Sequence, residues 1–328
     1  MNARVLFLGG NGMIGSAAAR EAAATGVELT IVTRSAPRRA VPDGVRVLNG
    51  DVRDARTLEG LLGDERWDAV VDWVGFTPAD LAGHVDYFGE RTGQYLFIST
   101  CSVFARPVPL LPITEASPRR QPVFGYARDK IACELMLEQA YREHGFPLTI
   151  VRPFHTYDET TVPVLAGWTA VERMRAGAPV IVHGDGTSLW SLMHSSDFAR
   201  AFVPLLGAGH AIGESVNIVS GDILTWDQIH LELARAAGVS RPLLAHRSSE
   251  TIGEEIPGWR FWSTTSGTPC CSTPARCSGS SPGSRRAFRS RTGCGRSSGS
   301  MTSTNPRGGS TASSSPPSTG WRSGRGWG

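Results

Sequence analysis

Short apolar runs at residues 4–8, 28–32, 45–49, 69–74, 95–98 and 148–152 alternate with stretches whose apolar side chains recur every three or four places, at 14–24, 81–88 and 131–141. Runs of four to six residues suit strands covered on both faces. The longer-period stretches suit helices with one apolar stripe. This rhythm predicts an α/β fold, a doubly wound and mainly parallel sheet with helices on both sides. After Arg152-Pro153 the rhythm loosens. A helix at 170–176, a turn at His183-Gly184-Asp185-Gly186, a helix at 197–206, a strand at 216–219 and a helix at 226–237 follow. The reading is therefore a nucleotide-binding domain over 1–152 and a smaller, substrate-facing portion over 153–262, whose strand near 216 rejoins the main sheet.

The remaining stretch, 263–328, breaks the pattern altogether. It holds no Leu, Ile or Val and consists mostly of Ser, Gly, Arg, Thr and Pro. Such a composition cannot bury enough apolar surface to offset the entropy of ordering, which predicts a disordered basic tail. Back-translated with G or C at most third positions, a displaced frame turns its serines and cysteines into Phe, Leu, Ile, Val and Met codons and yields two amphipathic segments. The expectation is a reading-frame displacement near Trp262.

This division changes the meaning of the charge. The chain of 328 residues carries +3 overall, but nine of its 33 basic residues lie in the tail, which has no acid. The preceding 262 residues hold 24 basic against 30 acidic side chains, a net of −6. An acidic body offers no general footprint for nucleic acid, so nucleic acid is not an expected partner. Only Cys101 and Cys133 lie in the body, which fits a reducing compartment. With no apolar run of spanning length, no membrane association is expected, and the expected location is the cytoplasm.

Directly after the first apolar run stands Gly9-Gly10-Asn11-Gly12-Met13-Ile14-Gly15. Glycine permits the tight turn and lets backbone amides approach a pyrophosphate where Met13 and Ile14 open the helix. Gly15 would let that helix lie close on the sheet. Strand, glycine loop and helix in this order predict a Rossmann-type dinucleotide site. The second strand ends Val32-Thr33-Arg34-Ser35, without the acid that holds ribose hydroxyls in NAD sites. Arg34 could pair with a 2′-phosphate, so NAD(P) is the expected cofactor, with NADP favoured. Asp51, with Val52 beside it, could accept from the adenine amino group; the other reading of Asp51 is an ordinary turn residue.

Tyr126 and Lys130 stand four places apart, on one face of a helix. A free phenol has a pKa of about 10, and a neighbouring ammonium would bring it toward working range as an acid/base. Lys130 is the chain's only lysine against 32 arginines, so the chain keeps here the compact ammonium that a planar guanidinium cannot replace. Thr100 closes the run Phe97-Ile98-Ser99-Thr100 and would hold a substrate oxygen against Tyr126.

Together the glycine loop, Thr100, Tyr126, Lys130, Arg152-Pro153 and His194-Ser195-Ser196-Asp197 resemble the extended short-chain dehydrogenase/reductase superfamily, also called NAD-dependent epimerase/dehydratase, over residues 4 to about 262. The resemblance implies Thr100 as the catalytic hydroxyl, Tyr126 as acid/base and Lys130 as its electrostatic partner. It also implies hydride exchange with a carbinol or ketone carbon of a sugar-like or other small polar substrate, and a homodimer. Cys101-Ser102 follow Thr100 where dehydratase members carry Asp-Glu, which points away from a dehydratase. Trp190 precedes His194 by four places, where sugar-nucleotide epimerases carry an arginine. Val71-Asp72-Trp73-Val74-Gly75 replaces their usual Asn-Ala-Ala segment. These departures resemble an atypical branch that includes poorly characterised bacterial reductases and chloroplast stem-loop RNA-binding proteins. The expected function is an NAD(P)-dependent oxidoreductase or epimerase. The alternative is a nucleotide-sensing or RNA-associated binding protein with little turnover. Cys101 and Trp190 are candidate substrate contacts, and each could equally be packed core. His183, His194 and Asp197 read as turn and capping residues, and no metal site is expected.

Overall fold

The computed structural model describes residues 3–36, 39–122 and 124–256. The tail at 263–328, the expected frame displacement and the last residues of the substrate-facing portion lie outside them. Seven strands form the central sheet: β1 (Arg4–Leu8), β2 (Glu28–Thr33), β3 (Arg46–Asn49), β4 (Ala69–Asp72), β5 (Tyr95–Ile98), β6 (Leu148–Pro153) and β7 (Ser215–Ile218). Their spatial order is β7-β6-β5-β4-β1-β2-β3, and every pair is parallel. The strand expected near 216 joins the sheet beside β6, Ser215 opposite Ile150.

Alternation along β1 shows why these runs are strands. Val5 and Phe7 belong to one buried cluster with the alanines of the first helix, whereas Leu6 and Leu8 belong to another with Phe97, Leu137 and Ile150. Both faces of the sheet are thus covered by helices, as continuous apolar strands require. The strand order reverses between β1 and β4, which opens a crevice at the carboxyl ends of those two strands. Gly9 lies just beyond β1, Arg34 beyond β2, Asp51 beyond β3 and Thr100 beyond β5.

Several elements differ from the periodicity. The helix expected at 81–88 divides at Ala82-Gly83 into Pro78–Leu81 and His84–Phe88. A capping box between Thr77 and Asp80, with Pro78 in the first turn, starts the earlier piece on its own. The helix expected at 131–141 runs from Gly125 to His144 and stops where Gly145 turns left-handed at φ 69°. A helix at Ala55–Leu62, capped by Asp54, was not legible in the pattern.

The portion after Pro153 builds on short strand pairs. His155–Tyr157 pairs with Leu192–His194, Leu189–Trp190 with Leu224–Thr225, and Val180–His183 with Leu244–Arg247. Two- and three-residue strands carry no readable period. A third apolar cluster, holding Trp190, Trp226, Phe154 and Met174, fills this portion and also contains Cys101.

Candidate active site

The glycine loop turns as its composition requires. Gly9 and Gly10 adopt φ of 84° and 95°, and the Gly9 amide donates to the carbonyl of Val32, tying the loop to β2. The first helix, Met13–Ala24, starts at Gly12 with no side chain capping it and no acid in its first turn. Its leading amides are therefore left for an anion, and a Cβ at Gly12 would meet nothing within 4 Å. A Cβ at Gly15 would meet Gly10 Cα and O at 2.6 Å, so helix and loop touch backbone to backbone there. These features fit a dinucleotide pyrophosphate. Gly15→Ala should weaken dinucleotide binding by about tenfold or more, read by NADPH fluorescence titration, because the loop must move to admit one methyl group.

Beneath the loop lies Trp73. Its ring packs edge-on against Phe7 and Phe202, both at 5.4 Å, and a Cβ at Gly10 would touch it at 3.3 Å. The departure of residues 71–75 from the family pattern thus has a structural use, as an indole that supports the pyrophosphate loop from below.

At the far end of the crevice Arg34 is exposed beyond β2, 3.9 Å from Asp51. Asp51 is gripped by Arg53 through two bonds of 2.9 and 2.6 Å. Chiefly this hydrogen bonding from Arg53 lowers the Asp51 pKa to about 2. The carboxylate expected to meet an adenine amino group thus already has a partner in Arg53, which the sequence reading did not include. Val52 is buried, and its carbonyl lies 2.7 Å from His84 Nε2.

Thr100, Tyr126 and Lys130 converge at the carboxyl end of β5. The Thr100 side chain takes the Ser102 amide, and its hydroxyl faces the Tyr126 phenol closely enough to act on its pKa. Tyr126 packs beside Phe124 and Phe76, with ring centres 5.5 and 6.3 Å away. Lys130 is 2% exposed and donates to the carbonyls of Gly75 at 2.7 Å and Ile98 at 2.6 Å, with the Phe97 ring 4.5 Å from its ammonium.

The electrostatics run against the expectation that Lys130 lowers the phenol's pKa. Burial pushes Tyr126 up to about 12, the Cys101 thiol adds to the rise, and only the Thr100 hydroxyl opposes it. Burial likewise brings Lys130 down to about 8. The physical reason is that both groups are almost fully buried, so desolvation governs both.

Cys101 is buried in a 3-10 turn, 7% exposed. Trp190 is 3% exposed; its indole donates to His155 Nδ1 at 2.9 Å and lies against Trp226. Both belong to the same apolar cluster, which is the packing reading of each. His194 caps the helix Ser195–Phe202 by accepting the Ser196 amide, and His183 packs on Trp226. Among the described residues no three His, Cys, Asp or Glu side chains group to hold a metal ion, and no helix is long and apolar enough to cross a membrane.

Residues 5–219 match the NAD dependent epimerase/dehydratase family. The chain belongs to that family. The fold agrees: UDP-glucose 4-epimerase of Thermus thermophilus, solved with NAD, superposes with a TM-score of 0.61 at 22% identity, over 75% of this chain and 86% of that one. A 2'-dehydrokanamycin reductase of Streptomyces kanamyceticus is 26% identical over 72% of this chain and 67% of its own length. A chloroplast stem-loop binding protein of Arabidopsis thaliana is 25% identical over 74% and 65%. The chain spans about two-thirds of the length of these relatives.

Four buried polar side chains, Asp72, His84, Tyr95 and Glu134, stand near this site and were missed by sequence reasoning. The available signal was a polar residue inside or ending an apolar run, as Asp72 ends Ala-Val-Val and Tyr95 begins Tyr-Leu-Phe-Ile.

Proposed function

We propose that the chain is an NAD(P)-dependent reductase of a ketone, or epimerase of a carbinol, in a sugar-like or other small polar molecule, with Tyr126 as the proton-transfer group. The observation that carries this reading is the Thr100 hydroxyl facing the Tyr126 phenol, with the buried Lys130 one helical turn on and bonded to the carbonyl of Ile98 at the end of β5. The nicotinamide supplies or accepts hydride at its C4.

The protein's own residues divide the remaining work. Thr100 orients the substrate oxygen by hydrogen bond. Tyr126 gives its proton to that oxygen as the carbonyl carbon is reduced, or takes it back in the reverse direction. A phenol whose pKa burial raises to about 12 is protonated at neutral pH, the form needed by a proton donor, and this supports the reducing direction. Lys130, placed by two carbonyls, is the ammonium for the ribose hydroxyls and for the phenolate that proton donation leaves behind. Cys101-Ser102, in place of an acid pair after Thr100, supports reduction or epimerisation over dehydration. The reading as a stem-loop-type binding protein draws support from relatives alone, and the net −6 of residues 1–262 opposes it.

NADP is the proposed preference; the absence of an acid at the end of β2 and the exposed Arg34 just beyond it support this. Titrating the purified chain with NADPH and with NADH tests both points. Tight binding of NADPH with weaker NADH is expected, and Arg34→Ser should shift the ratio of the two dissociation constants toward NADH by about tenfold. If neither dinucleotide binds, the enzymatic reading fails.

A further inference from the structure

Below the turn that receives Lys130 lies a fully enclosed polar cluster with no part in the chemistry just described. Asp72 is 0% exposed, His84 1% and Tyr95 0%. Asp72 Oδ1 accepts the amides of Val74 and Gly75, both at 2.8 Å. Its Oδ2 accepts the Tyr95 hydroxyl at 2.8 Å and lies 3.3 Å from His84 Nδ1. His84 Nδ1 is also 2.7 Å from the Tyr95 oxygen, and Nε2 is 2.7 Å from the Val52 carbonyl.

Counting protons assigns the charges. A carbonyl only accepts, so Nε2 carries hydrogen. Tyr95 has one hydroxyl proton, and the buried carboxylate takes it. Nδ1 can then bond the Tyr95 oxygen only by donating, which makes His84 an imidazolium beside an Asp72 carboxylate. Burial works against both charges. The imidazolium outweighs it at Asp72 and keeps that pKa low; the carboxylate outweighs it at His84 and keeps that pKa high.

The cluster reaches Lys130 through one residue. The Gly75 amide is held by Asp72, and the Gly75 carbonyl receives the ammonium. Only glycine fits there, since a Cβ would meet Asp72 Oδ2 at 2.7 Å and Leu81 Cδ2 at 2.5 Å. Phe76, the next residue, lies 5.1 Å from the same ammonium and packs on Tyr126. At its other end the cluster holds Val52, on the adenine side of the crevice.

We propose that Asp72, His84 and Tyr95 are positioning residues that set both the place and the charge of Lys130, through the Val74–Gly75 turn and through the field of the Asp72 carboxylate. The proposal rests on the reading of Lys130 as the residue that serves the dinucleotide. Asp72 favours the ammonium, and His84 keeps Asp72 charged. Lys130 also faces Cys133, Glu134 and Asp80, and His84 faces Asp80, none of which the test alters.

The chain's single lysine makes the test direct, because lysine labelled with carbon-13 at Cε gives one resonance from the full chain. Its titration midpoint is expected near 8 in the wild type. In Asp72→Asn the midpoint should fall by about one unit. His84→Gln should lower it too, because the buried Asp72, stripped of its imidazolium, takes up a proton. Loosening of the fold would hydrate the lysine and raise the midpoint instead, so either variant decides by itself if the other does not fold. NADPH affinity of Asp72→Asn at pH 7.5 should drop about threefold or more. Midpoints that stay at the wild-type value, or rise, overturn the proposal even where NADPH binds normally. Lowered midpoints in a chain that binds neither NADPH nor NADH would uphold the positioning of Lys130 and remove the enzymatic reading instead.

Discussion

Tyr126→Phe is expected to lower turnover on a ketone that the wild-type chain reduces by about 10²- to 10⁴-fold, the usual worth of a positioned proton-transfer group. Dinucleotide affinity should change little, because the ammonium's hydrogen bonds go to Gly75 and Ile98 and not to the phenol. The ring still fills its place beside Phe76 and Phe124, so melting should also be nearly unchanged. Steady-state kinetics with NADPH in excess, together with a binding titration, check the separation. A variant that turns over as fast as the parent removes Tyr126 from the mechanism.

Glu134→Gln is expected to cost about 3–5 kcal/mol of stability, measured by urea unfolding, as breaking a buried ion pair does elsewhere. Glu134 is 0% exposed and receives the Arg152 guanidinium through two bonds of 2.8 Å and Arg119 through one of 2.7 Å. Arg152 is 1% exposed, so removing the carboxylate charge leaves a guanidinium with no route to water. Burial alone would raise the Glu134 pKa, but Arg152 and Arg119 outweigh it and hold the group below the ordinary glutamate value. A carboxyl depressed in the folded state stabilises the fold above its unfolded pKa and ceases to do so as pH falls through the folded one. The wild type should therefore lose stability in acid below the usual carboxylate range, and Glu134→Gln should lose that part of the slope. The exposed pair Arg235–Glu232 is the contrast, since its loss should hardly register.

The sheet was legible because its strands are buried on both faces, so that runs such as Val5 to Leu8 stay apolar without interruption. Thr100, Tyr126 and Lys130 were legible because a lone lysine one helical turn from a tyrosine is conspicuous among arginines. The cofactor end was less so: Asp51 reads as an acceptor for adenine or as a turn residue, and its bond to Arg53, two places on, was not legible. What the sequence hid is the wiring between elements. Glu134 meets Arg152 across 18 residues by packing of a helix on the sheet, and Asp72 meets Tyr95 across 23 through paired strands, neither of which a local period records. The sign of the Tyr126 shift was hidden for the same reason. It depends on how deeply Phe76 and Phe124 bury the phenol and on which carbonyls occupy Lys130, and both follow from packing.

The seclusion of Lys130 has a practical corollary. Acylating reagents aimed at lysine meet one side-chain amine in the whole sequence, and it is 2% exposed and bonded to two carbonyls. Its slow acylation would time the opening of the crevice.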